Sequence, residues 1–451
     1  MSVPVNRAPP EILSRVLEYR TSERDLVAAT HVCRYWRSTL ISSSSLWSCF
    51  QFQSSPDLDR TLTYLERSKP APIHVSIDTG SSRDLGVLDY LAPQITKMRS
   101  LIIRASHGIY TASLLLCNPA PSLQHLEIRT SGGAKPLPEN FLGRQAPSLR
   151  SVKLSCVYPE FESLFPLPNL TEFYLLLPDG ASPFRMGELF RLFSGCPLLQ
   201  KIGINIRGQI VQDITPGQVI SLESLVELDY TCNFVDLILP FLRLPRLKKL
   251  WVTSLGPGQV QKLADILPHD GHVLLAGAIK IFYHFDPYAR SLRVDLSENG
   301  VDVSLNAFCA TTVDWLSDQA LIPLEQIEDL KVGGSPSAVG PPISVFALEN
   351  LRVLRVTPWN PQFTEEFFRL LHPGPGTGVP CPSLREIEYT CYGPQEPLPR
   401  SLTGLFRERK RAGHQLRLFC LLVRYGSGQD LVEELREDVG EVQVRGWNER
   451  V

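Results

Sequence analysis

An excess of charge of either sign is the first thing missing from this sequence of 451 residues: 45 Lys and Arg stand against 47 Asp and Glu, a formal charge of −2. So even a balance sets up no field to gather phosphate backbones or anionic lipid, and neither nucleic acid nor membrane is expected as a partner. No segment reaches the ~18 uninterrupted apolar residues of a spanning helix, and residues 1–10 hold no apolar run of a secretory leader. The chain therefore reads as intracellular, cytoplasmic or nuclear. Its ten cysteines include no Cys-x-x-Cys pair, so reduced, mostly buried thiols are the expectation. The glycine-rich stretch at residues 372–378 lacks Gly-Lys-Ser/Thr, and its prolines remove N–H donors that a phosphate cradle needs. His269-Asp270-Gly271-His272 has no cysteine or carboxylate pair at ligand spacing and reads as a solvated turn. Cys196 and Cys381 each precede a proline at matching repeat positions, which favours packing over nucleophilic chemistry. No catalytic, cofactor or metal residue is assigned, no cofactor is expected, and the chain reads as a binding protein instead of an enzyme.

Hydrophobic residues at 43% and charged residues at 20% are ordinary globular values, so the whole chain has the apolar surface to fold. Its length exceeds a single ordinary core unless most of it stacks as repeats. In the first fifty residues, Pro9 and Pro10 open a helical pattern that puts Ile12, Leu13, Val16 and Leu17 on one face and ends near Tyr19. Ser22 and Asp25 have capping-box spacing. Leu26, Ala29, Val32, Cys33, Trp36 and Leu40 follow at helical intervals, with a break near His31. A unit this small with so much apolar helix face has to bury part of it on a partner.

Four blocks in order, Ala8-Pro9-Pro10-Glu11-Ile12-Leu13, Asp25-Leu26, Val32-Cys33-Arg34-Tyr35-Trp36-Arg37 and Leu46-Trp47, resemble the F-box family at the family's spacing. Joined to the long remainder of the chain, they resemble fungal, basidiomycete-type F-box proteins that carry a leucine-rich-repeat-like C-terminal domain. The resemblance implies a three-helix fold that binds a Skp-family adaptor and, through it, a cullin and a RING subunit. The positions it implies for that contact are Pro9, Pro10, Ile12, Leu13, Val16, Leu17, Leu26, Val32, Cys33 and Trp36, whereas Trp47 is expected to plug the module's own core. Ala8 departs from the family's leucine, and the lost side chain weakens the implied contact by ~2 kcal/mol or more.

Beyond a polar link from Gln51 to Arg60, residues 61–68 read as a helix and 73–78 as a strand. A motif of the form Leu-x-x-apolar-x-apolar then recurs at Leu123-Leu126-Ile128, Leu149-Val152-Leu154, Leu170-Phe173-Leu175, Leu199-Ile202-Ile204, Leu225-Leu228-Tyr230, Leu247-Leu250-Val252, Ile327-Leu330-Val332, Leu351-Leu354-Val356 and Leu384-Ile387-Tyr389. Continuous copies lie 21 to 33 residues apart, bracketing the leucine-rich-repeat period of ~20–29. Prolines such as Pro147, Pro168 and Pro382 precede the motif, and candidate helices fall between copies, at residues 186–193 and 259–267. The expected fold is α/β: a small helical F-box at 1–50, a linker and helix at 51–70, and an irregular leucine-rich-repeat solenoid at 71–451. Its parallel strands lie on one side and its helices and loops on the other. Residues 272–310, with alternating stretches flanking Asp286-Pro287 and a further strand at 301–305, read as an inserted β-hairpin or irregular repeat; 333–342 as a loop; and the end as a capped helix from Ser427 followed by a strand near 441–447.

Two function classes remain, a substrate-recognition subunit of an SCF-type ubiquitin ligase and a non-ligase interaction scaffold built on the same repeats. In either, period-two alternation turns the residues between the motif's apolar positions to the concave face. The candidate target-binding residues there are Tyr174, Leu176 and Trp251, with Glu127, Arg129, Asp229 and Arg355 around them. Exposed aromatics framed by polar residues are the usual anchors of protein interfaces.

Overall fold

The computed structural model describes residues 8–18, 23–53, 58–80, 90–105, 113–131, 134–158, 167–178, 184–211, 213, 219–232, 238–254, 269, 278–285, 290–297, 300–307, 324–334, 348–357, 361–374, 378–391, 398–424 and 433–446. Tyr19, Ser22, the 259–267 helix, residues 270–272, Asp286-Pro287, most of the 333–342 loop and Ser427 lie outside them. The chain divides into two compact units, Met1–Ile214 and Thr215–Val451. Among the described residues no helix is long and apolar enough to cross a membrane.

The first unit begins with three short helices, α1 (Pro10–Glu18), α2 (Glu23–Ala29) and α3 (Arg34–Ser42). Pro10 sits where a helix needs no N–H, and the Pro9 carbonyl accepts from Ile12 and Leu13. Cys33 caps α3, its Sγ accepting the Trp36 N–H at 3.5 Å. Leu13, Ala29 and Leu40 form the buried centre, with Leu17, Tyr35, Trp36 and Leu46 packed against it. Tyr35 fastens the start of α1 by donating to the Ala8 carbonyl at 2.5 Å.

A 3₁₀ turn (Ser44–Trp47) comes next, then strand β1 (Cys49–Gln53), helix α4 (Leu58–Ser68) and strand β2 (Ile73–Gly80). This corrects the link expected from Gln51: Phe50 and Phe52 are buried, and β1 pairs in parallel with β2. The sheet continues through β3 (Met98–Ala105), β4 (His125–Thr130), β5 (Ser151–Ser155), β6 (Glu172–Leu177) and β7 (Lys201–Ile206), each parallel to the strand before it. The register stacks two apolar rows, Phe50-Val75-Leu101-Leu126-Val152-Phe173-Ile202 and Phe52-Ile77-Ile103-Ile128-Leu154-Leu175-Ile204, all buried. Helix α5 (Met186–Ser194) lays Met186, Leu189, Phe190 and Phe193 inward between β6 and β7.

Where a proline stands two residues before the motif, it has a defined place. Leu149 N–H bonds back to the Ala146 carbonyl, Leu170 to Leu167, Leu199 to Cys196, Leu247 to Leu244 and Leu384 to Cys381, so each intervening proline is the second residue of a four-residue turn. The first residue of that turn is buried in every case.

The second unit repeats this plan with β8 (Glu227–Cys232), β9 (Lys249–Ser254), β13 (Asp329–Gly334), β14 (Val353–Thr357), β15 (Glu386–Cys391), β16 (Leu418–Val423) and β17 (Glu441–Gly446). Three more strands, β10 (Ala278–Phe285), β11 (Arg290–Ser297) and β12 (Gly300–Ala307), enter between β9 and β13. The hairpin joins β11 to β12, not the two stretches flanking Asp286-Pro287. β11 runs antiparallel to both β9 and β12, and β10 lies parallel to β12 and β13. The order is therefore β8-β9-β11-β12-β10-β13-β14-β15-β16-β17. Helices α6 (Pro361–Leu370) and α7 (Arg400–Arg411) pack together. Arg409 is wholly buried and donates to the Pro380 and Cys381 carbonyls at 2.7 and 2.9 Å, holding the turn that launches β15. At the end, in place of the expected capped helix, the described residues form a 3₁₀ turn (Glu433–Leu435) before β17.

Parallel strands with helices between them make this an α/β, leucine-rich-repeat-like solenoid behind a three-helix N-terminal region. Leu126, Leu154, Leu228, Leu250 and Leu354 are all buried, as their motif positions require. Each repeat hides its apolar face only against its neighbours, so damage spreads beyond the mutated strand. Leu154→Ala or Leu250→Ala is expected to cost ~2–5 kcal/mol in a denaturant melt, and a loss below ~1 kcal/mol confined to local exchange would contradict the stacked array.

Candidate functional site

The helical region sorts its apolar side chains into two sets. Leu13 and Leu26 are buried within the bundle, and Leu17, Cys33 and Trp36 are half-buried. Ile12 and Val16, one helical turn apart on α1, are 54% and 64% exposed, and Val32, between α2 and α3, is 58% exposed. Pro9 and Pro10 also face water. The sequence-derived adaptor set therefore mixes residues that hold the module together with residues that remain available. A helix with an apolar stripe too wide for its own bundle places i and i+1 on different sides of the contact, which separates Ile12 from Leu13.

Trp47 behaves as expected of a core plug and does more. Wholly buried, its indole N–H donates to the Leu40 carbonyl at 2.7 Å. Its ring meets Tyr64 of α4 edge-on at 4.9 Å, and the Arg67 guanidinium lies 4.4 Å above it. Trp47 also stands three residues before Phe50, the spacing of a repeat's leading leucine, so the helical region and the first repeat share one residue.

The second candidate surface is the solvent side of the strands. Trp251 on β9 is 46% exposed and Leu176 on β6 is 40% exposed, so both stand on that side as alternation predicts. Tyr174 is half-buried: Lys153 Nζ lies 5.0 Å from its ring centre, and the ring covers Gly203, where an added Cβ would come 2.3 Å from it. Asp229 is the register partner of Trp251, and its carboxyl is raised above the usual range by burial and then by the Glu227 charge. The remaining charges are largely committed within the sheet. Arg104 holds Glu127 at 3.0 Å, and Arg355 bonds Asp329 on one neighbouring strand and approaches Glu388 on the other at 3.6 Å. Arg129 is exposed. Pairs of this kind contribute ~0–1 kcal/mol each at a surface.

The buried thiols fit the turn geometry. Cys196 and Cys381 are the first residues of two of the proline turns, and burial pushes their thiols up to about 11 and about 12 respectively. Cys117, by contrast, is exposed. Iodoacetamide at pH 8 is expected to label Cys117 in the native protein and to reach Cys196 and Cys381 only after unfolding. Peptide mass mapping showing native labelling of Cys196 would contradict this.

Residues 6–53 match the family model described as F-box-like. A curated protein of Arabidopsis thaliana, "Putative F-box/LRR-repeat protein 9", is 23% identical over 234 residues, which cover 45% of this chain and 90% of that protein. That relative is from a plant, and the fungal part of the sequence resemblance has no support in these matches. F-box proteins are typically non-catalytic adaptors. The chain carries an F-box-like domain at its N terminus and is a distant homologue of an F-box/LRR-repeat protein.

Proposed function

We propose that this chain is the substrate-recognition subunit of an SCF-type ubiquitin ligase, acting in the cytoplasm or nucleus. Residues 1–50 dock a Skp-family adaptor, through it a cullin and a RING subunit are recruited, and the repeats hold a target protein. The chain performs no bond chemistry in this reading and contributes proximity. The observation that carries the proposal is the outward set of Ile12, Val16 and Val32, apolar and solvent-exposed on a domain of the F-box-like family. On the repeats, Trp251 and the Tyr174–Leu176 pair are the proposed target anchors, each on its own unit, with Arg129 and Asp229 as polar surroundings. Glu127 and Arg355 contribute only where a target outcompetes the ion pairs they already make.

A second reading, a non-ligase scaffold, draws on the Trp47 seam: a module so closely joined to the first repeat also serves simply to close the array's open end. The two readings separate by what co-purifies, since a scaffold retains the adaptor without a cullin.

Because Leu13 supports the bundle, its substitution tests folding more than docking. Ile12→Asp with Val16→Asp is the sharper variant, since both side chains already stand in water. It is expected to leave the melting temperature unchanged and to weaken capture of a Skp-family adaptor by about tenfold or more, the loss of ~1.4 kcal/mol or more at an interface anchor. Undiminished capture by the folded variant would overturn the assignment of this face.

A further inference from the structure

A cleft of about 490 Å³ opens in the first unit between α3 and the last turn of α4, and neither the adaptor face nor the strand surface uses it. Positions 34, 37, 38, 41 and 42 of α3 line one wall. That is the i, i+3, i+4, i+7, i+8 stripe of a single helix face, the spacing at which a helix buried by its own chain carries apolar residues. Here Arg34, Arg37 and Ser38 occupy its first half, and Arg67 and Lys69 close the cleft from the opposite wall.

The charge is one-sided. Arg34, Arg37, Arg67 and Lys69 face a single lining carboxylate, Glu66, and none of the four cations is among the ion pairs of the described residues. Two of them are held in place by the protein itself. Arg37 Nε donates to the Thr30 carbonyl at 3.0 Å, and the Arg67 guanidinium carbon sits 4.4 Å from the centre of the Trp47 ring. Lys97 Nζ reaches the Lys69 carbonyl at 3.1 Å, adding positive charge at that end. Guanidinium groups fixed in this way offer paired N–H donors to anionic oxygens with little ordering left to do.

We propose that this cleft binds an acidic peptide segment of a protein partner, one bearing carboxylates or phosphates. Its scale fits a short peptide, because the nine residues of α3 span about 14 Å. A nucleic acid fits less well. The chain's formal charge of −2 provides no wider basic field, and the cleft lining contains no aromatic ring on which a base could stack. The site shares no residue with the proposed adaptor face, so it stands or falls independently of the ligase reading.

The test is fluorescence anisotropy on the full chain with two labelled peptides, a Glu-Ser repeat and the same repeat phosphorylated on its serines. Saturable binding that weakens as salt rises is expected for at least one peptide, and the ratio between the two assigns the site to carboxylate or phosphate. Arg34→Glu with Lys69→Glu should weaken it at least tenfold, while Ile12→Asp with Val16→Asp leaves it unchanged. A glutamate at the first position of α3 suits a helix N-terminus, and the neutral pair Arg34→Gln with Lys69→Gln, checked by circular dichroism, guards against misfolding. The proposal is overturned if neither peptide saturates, if the folded charge variants bind as well as the parent, or if a single-stranded oligonucleotide of equal charge displaces the peptide at lower concentration than the peptide itself.

Discussion

A strand buried on one face cannot shift by a single residue without turning its apolar row into water, and both units of this protein are arranged around that constraint. In the first unit the register runs unbroken from Phe50 to Ile202 and from Phe52 to Ile204. It starts at Trp47, whose indole is fixed at once by the Leu40 carbonyl, the Tyr64 ring and the Arg67 guanidinium. Because Trp47 both ends the helical region and leads the first repeat, the helical region and the array share their packing within this unit.

The same economy of apolar surface shapes the helical region. Three helices of seven to nine residues enclose only a small core centred on Leu13, Ala29 and Leu40. Ile12, Val16 and Val32 are left outside, so this exposed apolar surface follows directly from the smallness of the core. The strand surface shows a related division. Several of its charges are tied across neighbouring strands, as Arg355 is to Asp329 and Glu388, and among the described residues Trp251 and Leu176 are large apolar groups standing clear of the sheet.

Much of this was legible in the sequence because the repeat motif carries its own geometry: a leading leucine, a proline two residues before it, and two inward positions two apart. The copies at Leu225, Ile327 and Leu351 lack the proline and were still legible, but three strands whose marks are weaker were missed. β1 is led by a tryptophan and β3 by Met98, and β16, led by Leu416, has no proline before it. The inserted strands lie where sequence alternation placed them, but alternation does not say which strand pairs with which, and the turn signal at Asp286-Pro287 pointed to the wrong pair. Residue spacing placed Ile12 and Leu13 on one helix face without separating inward from outward, since that depends on α3. The basic stripe of α3 was readable in principle at 34, 37, 38, 41 and 42, but the facing Arg67 and Lys69 come together with it only through the packing of α4.

The central claim, that the outward apolar set of the F-box-like domain is a docking face joined to a preformed array, is tested most directly by hydrogen exchange of the full chain with and without a Skp-family adaptor. The account predicts new protection at residues 8–18 and 30–33, with the strands from β2 to β7 already protected and unchanged. Protection that appears on those strands while residues 8–18 exchange as in the free protein would contradict it.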